Sequence, residues 1–372
     1  MSTFVANPPS SHIFESLVPY YAEALLGAQN NNTAGEEISH PNGHSVTNGV
    51  WVLLVGTLLW SYILLVILAK KPKCDCTARL DGKTVVITGA TDGVGKATAF
   101  ELASRGAEIV IPCRNAEKGR RVAREIADIT GNHKIQVVYV DFTNLESVKV
   151  CTQILKKSLK KVDILINNAG IGNGVGTTLD GFPLVFGVNH LAPFLFTTEL
   201  LPLLRKAPTA RIVCVSSVTH LWGNINFDEL QDLDGGSLPS QFRAYSRSKL
   251  ANVLFAKQLH RNESQHGIST YIAHPGWTFT AIFRDSPVLA KLLLFPLLYL
   301  FLYTPAQGAQ TQIHLALAPG IESSSGNYFV SCKPARTGKS AKDIELASNL
   351  WSYSEKAVAS ALNQSVGYCT SI

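Results

Sequence analysis

Residues 83 to 100 read KTVVITGATDGVGKATAF. Five residues, Thr84 to Thr88, are all β-branched, which favours a short buried strand over a helix. The run ends in Thr88-Gly89-Ala90-Thr91-Asp92-Gly93-Val94-Gly95, where the glycines stand as G-x-x-x-G-x-G before an amphipathic stretch. Gly89 permits the turn. Gly93 and Gly95 let the backbone and the helix N-terminus approach a pyrophosphate, where the helix dipole favours negative charge. Glycine clusters also serve as plain turns. Placed between a strand and a helix, this one predicts a dinucleotide site spanning Gly89, Thr91, Asp92, Gly93, Val94 and Gly95.

Further along, short apolar runs alternate with helical stretches: AEIVIPC, IQVVYVD, DILINNAG, RIVCVSS and STYIAHPG. Repeated β-α-β units imply an α/β fold, a doubly wound parallel sheet of the Rossmann type covered on both faces. At the end of the second strand, where a carboxylate often accepts the ribose hydroxyls of NAD, the chain has Cys113-Arg114-Asn115. Arg114 offers a charged planar fork for a 2′-phosphate, with Lys118 nearby, so NADP(H) is favoured over NAD(H). The competing reading has Arg114 solvating the strand end or stacking on adenine.

Tyr245-Ser246-Arg247-Ser248-Lys249 sets a phenol and an ammonium four residues apart, on one face of a helix. A phenol with pKa near 10 is a poor acid-base catalyst at neutral pH, and a neighbouring cation moves it toward useful values. The spacing alone is common. Its company is Val215-Ser216-Ser217 at a strand end, Asn189 in a helix, and the glycine loop.

Taken in order, T-G-x-x-x-G-x-G, Asn167-Asn168-Ala169-Gly170, Asn189, Ser217, Tyr245-x-x-x-Lys249 and Pro275-Gly276 resemble the short-chain dehydrogenase/reductase family. The resemblance covers residues 81 to about 335. IPCRNAEKG, GVNHLAPFLFT, YSRSKLANVLFAKQL, TPAQGAQT and GNYFVSC are similar to the membrane-bound retinol dehydrogenase branch. It implies that Tyr245 exchanges the proton with substrate, that Lys249 lowers its pKa and binds the nicotinamide ribose, and that Ser217 hydrogen-bonds the carbonyl oxygen. Ser216 is the neighbouring candidate. Asn189 would hold a relay water and Asp141 would contact adenine. Asn168, Ala169 and Gly170 would line the cofactor floor, and Pro275, Gly276 and Thr280 would flank the nicotinamide. Trp277-Thr278 departs from the family's β-branched aliphatic residue before Thr280. The activity implied is NADP(H)-dependent interconversion of a lipophilic aldehyde or ketone with its alcohol, retinal and retinol first, with steroid or fatty-aldehyde reduction as the alternative. A catalytically silent NADP(H)-binding membrane scaffold is the reading from another class.

Outside this domain the composition is unusual. Of 372 residues, 46% are hydrophobic and only 16% charged, against about 25% charged in an average soluble protein. That excludes a disordered or nucleic-acid-binding tail. The surplus is concentrated in 49–69, GVWVLLVGTLLWSYILLVILA, an uncharged stretch whose helical length of about 31 Å matches a bilayer core. It is read as a transmembrane helix rather than a buried core helix or a cleaved leader. Residues 1–48 carry four Glu and no Lys or Arg; the other 324 carry all 33 basic and 23 of the 27 acidic residues, a net +10. Lys70, Lys71 and Lys73 follow the span within a 70–80 linker, so residues 81–372 face the cytosol and 1–48 the lumen, with the endoplasmic reticulum the favoured membrane. The Asn31 sequon falls on the luminal side; those at Asn262 and Asn363 are expected to stay unmodified.

Residues 287–303, PVLAKLLLFPLLYLFLY, form a second apolar run, read as an entrance from the cytosolic leaflet to the substrate pocket. Burial against the core or in a homodimer is the alternative. Seven scattered cysteines show one C-x-C, Cys74 and Cys76, and no metal-ligand spacing, so reduced thiols and no metal are expected. That pair also lies where juxtamembrane palmitoylation occurs. His190, His220 and His274 are read as structural or exposed.

Overall fold

The computed structural model describes residues 51, 54–62, 72–232, 235–276, 278 and 302–369. Two compact units are present, Met1–Leu64 and Leu65–Ile372. In the first, residues 54–62 are helical, and Leu54, Val55, Leu58, Leu59 and Trp60 are all exposed. These residues belong to the 49–69 stretch. Residues 1–48 lie outside the described residues.

The second unit is built on strands β1 (Thr84–Ile87), β2 (Glu108–Cys113), β3 (Ile135–Tyr139), β4 (Ile164–Asn167), β5 (Ala210–Val215), β6 (Ile268–His274), β7 (Tyr328–Val330) and β8 (Lys333–Ala335). Their order across one sheet is β3-β2-β1-β4-β5-β6-β7-β8. Every pairing is parallel except β7 with β8. The parallel strands are continuous apolar runs because helices cover both faces. The chain reverses direction across the sheet at β1 and β4. Val85 pairs with Ile164 there, and the crevice beyond their C-terminal ends is where open α/β sheets bind ligands.

One face is covered by α1 (Gly93–Ser104), α2 (Ala116–Thr130) and α6 (Pro305–Leu317), which bury Leu102, Ile126 and Ile313. The other carries α3 (Leu145–Ser158), α4 (Leu184–Leu204), α5 (Leu238–Glu263) and α7 (Ile344–Cys369), burying Leu155, Phe196, Leu254 and Leu350. Local signals set the ends. Asn115 and Asn144 cap α2 and α3 by accepting from Lys118 N and Ser147 N, and Gly131 ends α2 in the left-handed conformation at φ 70°. Thr304 and Gln307 form a reciprocal capping box on α6. Among the described residues α4 is long and apolar enough to cross a membrane, but 78% of it is buried inside this unit, which makes it a core helix.

The β7–β8 hairpin and a π-helical turn at Gly187–Leu191 inside α4 carry no periodicity that sequence reading detects. Residues 279–301 are outside the described residues, and with them Thr280 and nearly all of the 287–303 run.

Candidate active site

Asp92 caps α1, its carboxylate accepting from Gly93 N at 2.8 Å. The loop before it is held from below by the chain after β4. The Asn168 side-chain amide donates to the Thr88 and Gly89 carbonyls at 3.0 and 3.3 Å, and the backbone N–H groups of Asn168 and Ala169 both donate to Thr88 Oγ1 at 3.0 Å. Gln312 on α6 fixes the other end of that amide, donating to Asn168 Oδ1 at 3.1 Å and accepting from Thr98 Oγ1. The cradle excludes side chains. A Cβ on Gly95 would strike the Gly89 carbonyl and Asn168, and one on Gly89, at φ 67°, would lie 2.9 Å from Ala169 Cα. Close backbone packing around a helix N-terminus is what a pyrophosphate needs, so these residues fit a dinucleotide.

At the end of β2, Arg114 is exposed. Lys118, expected beside it, instead pairs with Asp92 at 2.7 Å, which holds that carboxyl below the usual range. Asp141 Oδ1 accepts from Thr143 N and Thr143 Oγ1, both at 2.9 Å, so that oxygen starts the turn into α3.

Tyr245 and Lys249 lie on α5. The Lys249 ammonium is 5.4 Å from the Tyr245 ring centroid and 3.4 Å from the Val215 carbonyl. Burial dominates both groups: it raises Tyr245, against a lowering contribution from a hydrogen bond with Ser217, and pushes Lys249 down to about 8. At pH 7 the phenol is protonated and the lysine still mostly charged. The serine pair divides its work. Ser216 is buried and donates to the Lys249 carbonyl at 2.8 Å, whereas Ser217 is the hydroxyl beside Tyr245.

Asn189 occupies the π-helical turn, a feature frequent at functional sites. Its Oδ1 accepts from Ile171 N at 2.8 Å, and its amide donates to Ile171 O at 2.9 Å and to Ser248 Oγ at 3.0 Å. Both amide protons are used, so the side chain ties the post-β4 loop to α5 and has none left to give a water. A Cβ on Gly170 would sit 3.1 Å from Asn189 Oδ1 and 3.5 Å from Lys249 Nζ, which brings the cradle and the catalytic candidates together.

Next to these groups opens a cavity of about 320 Å³ whose wall includes Val218, His220, His274, Gly276, Tyr303 and Tyr328. Tyr328 lies within electrostatic reach of Tyr245, stacks on His274 at 6.4 Å and packs on His220 at 4.8 Å. The histidines are therefore not exposed. His220 and His274 are buried in the cavity wall, and His190 is buried among Phe186, Phe194 and Phe255.

This geometry agrees with comparisons to known proteins. Residues 83–228 match the family model described as short chain dehydrogenase. The chain is 41% identical to dehydrogenase/reductase SDR family member 13 of Bos taurus, over 82% of this chain and 81% of that protein. It is also 41% identical to human retinol dehydrogenase 11, over 76% of this chain and 87% of that one. The chain belongs to the short-chain dehydrogenase/reductase family.

Solved structures agree with this membership. A protein from Mycobacterium paratuberculosis superposes with a TM-score of 0.61 at 31% identity, over 77% of this chain and 96% of that one. A short chain dehydrogenase from Escherichia coli CFT073, complexed with NADPH, does so with a TM-score of 0.53 at 25% identity, over 68% of this chain and 98% of that one. For this short-chain dehydrogenase/reductase, sequence reading gave no role to Gln312, Ser248 or Tyr328, quoted Thr88 only as the start of the glycine motif, and named His220 and His274 without placing them in the cavity wall. Thr88 and His274 had local signals, the one opening T-G-x-x-x-G-x-G and the other standing directly before Pro275-Gly276. The others meet across 80 or more residues of chain or sit inside runs that read as ordinary helix.

Proposed function

We propose that this chain interconverts a lipophilic aldehyde or ketone with its alcohol, using NADP(H), with retinal and retinol the favoured pair. The observation that carries the reading is the placement of the Ser217 hydroxyl beside Tyr245, with buried Lys249 on the same helix and an aromatic-walled cavity next to them. When bound, the nicotinamide supplies or accepts the hydride at the carbonyl carbon. In reduction, Tyr245 gives its phenolic proton to the substrate oxygen, and Ser217 donates a hydrogen bond to that oxygen as negative charge develops. Lys249 stabilises the phenolate left behind. Asn189 positions Ser248 and the loop at Ile171, and it would meet a relay water as an acceptor, since both its amide protons are engaged. Gly89, Thr91, Gly93, Val94 and Gly95, with Asn168, Ala169 and Gly170, would hold the dinucleotide, and Arg114 would meet a 2′-phosphate. Relatives named retinol dehydrogenase support the substrate class.

Residues 49–69 would anchor the domain to a bilayer with chemistry on the cytosolic side, in keeping with Lys70, Lys71 and Lys73 after the span. Assaying membranes that express the chain against retinoids, steroids and long-chain aldehydes, with NADPH and with NADH, tests the reading. Tyr245→Phe should lose about 10²-fold or more in turnover and keep cofactor binding. Undiminished turnover in that variant would remove Tyr245 from the chemistry, whereas NADPH binding with no turnover of any of these substrates by the wild-type chain would leave the cofactor-binding scaffold.

A further inference from the structure

The C-x-C pair takes no part in this chemistry, and the fold does not leave it on the surface. Residues 72–80 lie against α1 and α6. Cys74 N donates to Gln310 Oε1 at 2.8 Å, Arg105 donates to the Cys76 carbonyl at 2.7 Å, and Leu80 N donates to the Arg105 carbonyl at 2.8 Å. Cys74 is buried and Cys76 half-buried, an environment unsuited to an acyl chain leaving for the bilayer. One turn beyond Gln310 on α6, His314 turns its Nδ1 to within 3.8 Å of Cys76 Sγ. The two sulfurs and a His314 ring nitrogen all lie within 4.8 Å of one another.

A third sulfur arrives from the β7–β8 turn. Ser331 and Cys332 take consecutive left-handed conformations, φ 48° and 63°, which non-glycine residues seldom adopt. That turn brings Cys332 Sγ to 3.4 Å from the carbonyl of Gln310, the residue whose side chain also holds Cys74 N. Gln310 thus braces two of the sulfur-bearing segments. Chain positions separated by about 240 residues converge on one half-buried group of two thiols and an imidazole, with the Cys332 thiol beside it against the Gln310 backbone.

We propose that Cys74, Cys76, His314 and Cys332 form a structural zinc site that clamps the linker following residues 49–69 to the catalytic domain. Zinc takes Cys and His ligands tetrahedrally, with Zn–S about 2.3 Å and Zn–N about 2.0–2.1 Å, which puts ligand atoms about 3.5–3.8 Å apart. The Cys76–His314 separation already meets this. A soft sulfur-rich set in which no ligand position is left for water suits zinc over magnesium or calcium. Binding replaces the proton of each of the three thiols with a bond to the metal, so one Zn²⁺ enters, three protons leave, and the site carries a net charge of −1. The role is structural, because the ligands lie on the linker, α6 and the β7–β8 turn and not on the Ser217–Tyr245 pair.

The test uses the full chain purified in detergent under reducing conditions without chelator. Elemental analysis should find about one zinc per chain. Replacing it with Co²⁺ should give thiolate-to-cobalt charge-transfer bands and the intense visible bands of a tetrahedral centre. Cys76→Ser, Cys332→Ser and His314→Gln should each lose these signals while NADPH binding reports a folded domain. Should the variants fail to fold, the wild-type chain answers alone: a strong chelator should lower its melting temperature, and zinc but not magnesium should restore it. Wild-type metal content no higher than that of the Cys76→Ser/Cys332→Ser double variant would overturn the proposal. So would a disulfide between any two of the three cysteines in protein prepared this way.

Discussion

The Ser216 hydroxyl donates to the Lys249 backbone carbonyl at 2.8 Å, tying the end of β5 to the catalytic turn of α5. That bond separates two serines that the sequence leaves adjacent and chemically alike. Ser216 braces the scaffold, and Ser217 is left beside Tyr245, where the proposed reaction would use it. Ser217→Ala should cut turnover by about 10²–10³-fold with a small change in melting temperature. Ser216→Ala should cost about 0.5–1.5 kcal/mol of stability, one buried hydrogen bond, because the Lys249 carbonyl keeps its helical partner, with a lesser effect on rate. Steady-state kinetics and thermal unfolding on the two variants check the division, and equal kinetic losses would refute it.

Under the proposed reaction, Lys249 should set the alkaline limit of carbonyl reduction. Burial holds its ammonium down to about 8, while Tyr245 is held above its ordinary value. As pH rises through 8 the lysine loses its charge before the phenol loses its proton, so the stabilisation of the product phenolate goes first. Reductive kcat/KM should be level near neutral pH and fall about tenfold per unit on the far side of 8. A pH profile on the wild-type chain reads this directly. Lys249→Arg, charged throughout, should show lower activity overall and no such limb.

Arg114 should decide between the two nicotinamide cofactors. It is exposed at the end of β2, and its neighbour Lys118 is engaged with Asp92, so the guanidinium is the cation positioned there for a 2′-phosphate. Arg114→Ala should weaken NADPH binding about tenfold or more and leave NADH binding nearly unchanged, since a charge-assisted pair contributes about 1.5–3 kcal/mol. Fluorescence titration with each cofactor tests it. Equal losses for both would mean that Arg114 stacks on adenine.

The sheet was legible because parallel strands buried on both faces are short apolar runs, and all six runs read from sequence became β1 to β6. The site was legible where one segment holds the pattern, as in the glycine loop and the Tyr245–Lys249 spacing. What escaped depends on distance along the chain. Gln312 reaches Asn168 across 144 residues, and Cys74 meets Gln310 across 236. No local period records such meetings. The π-helical turn at Asn189 escaped for another reason: inserting one residue into a helix leaves the apolar pattern of α4 almost unchanged. Histidine burial also defeated composition. His220 and His274 are polar by type, and their rings are buried because Tyr328 stacks against them.

That burial predicts a sensitivity to acid. His190 is held down to about 3 and His274 to about 4, in both cases chiefly by burial, against about 6.5 in an unfolded chain. As pH falls below 6.5 the unfolded state takes up protons that the native state refuses, so stability should fall by about 1.4 kcal/mol per pH unit for each group. For His190 the loss continues until pH approaches 3. The His190 ring lies among three phenylalanines, its Nδ1 is unpartnered, and its bond to Ser354 Oγ is dispensable because Ser354 also donates to Leu350 O. His190→Phe should therefore change stability little at pH 7.5 and remove its share of the acid slope, gaining about 1.4 kcal/mol on the wild-type chain at pH 5.5. Chemical unfolding of both proteins at the two pH values measures it, and parallel pH dependences would show that His190 accepts its proton in the native state.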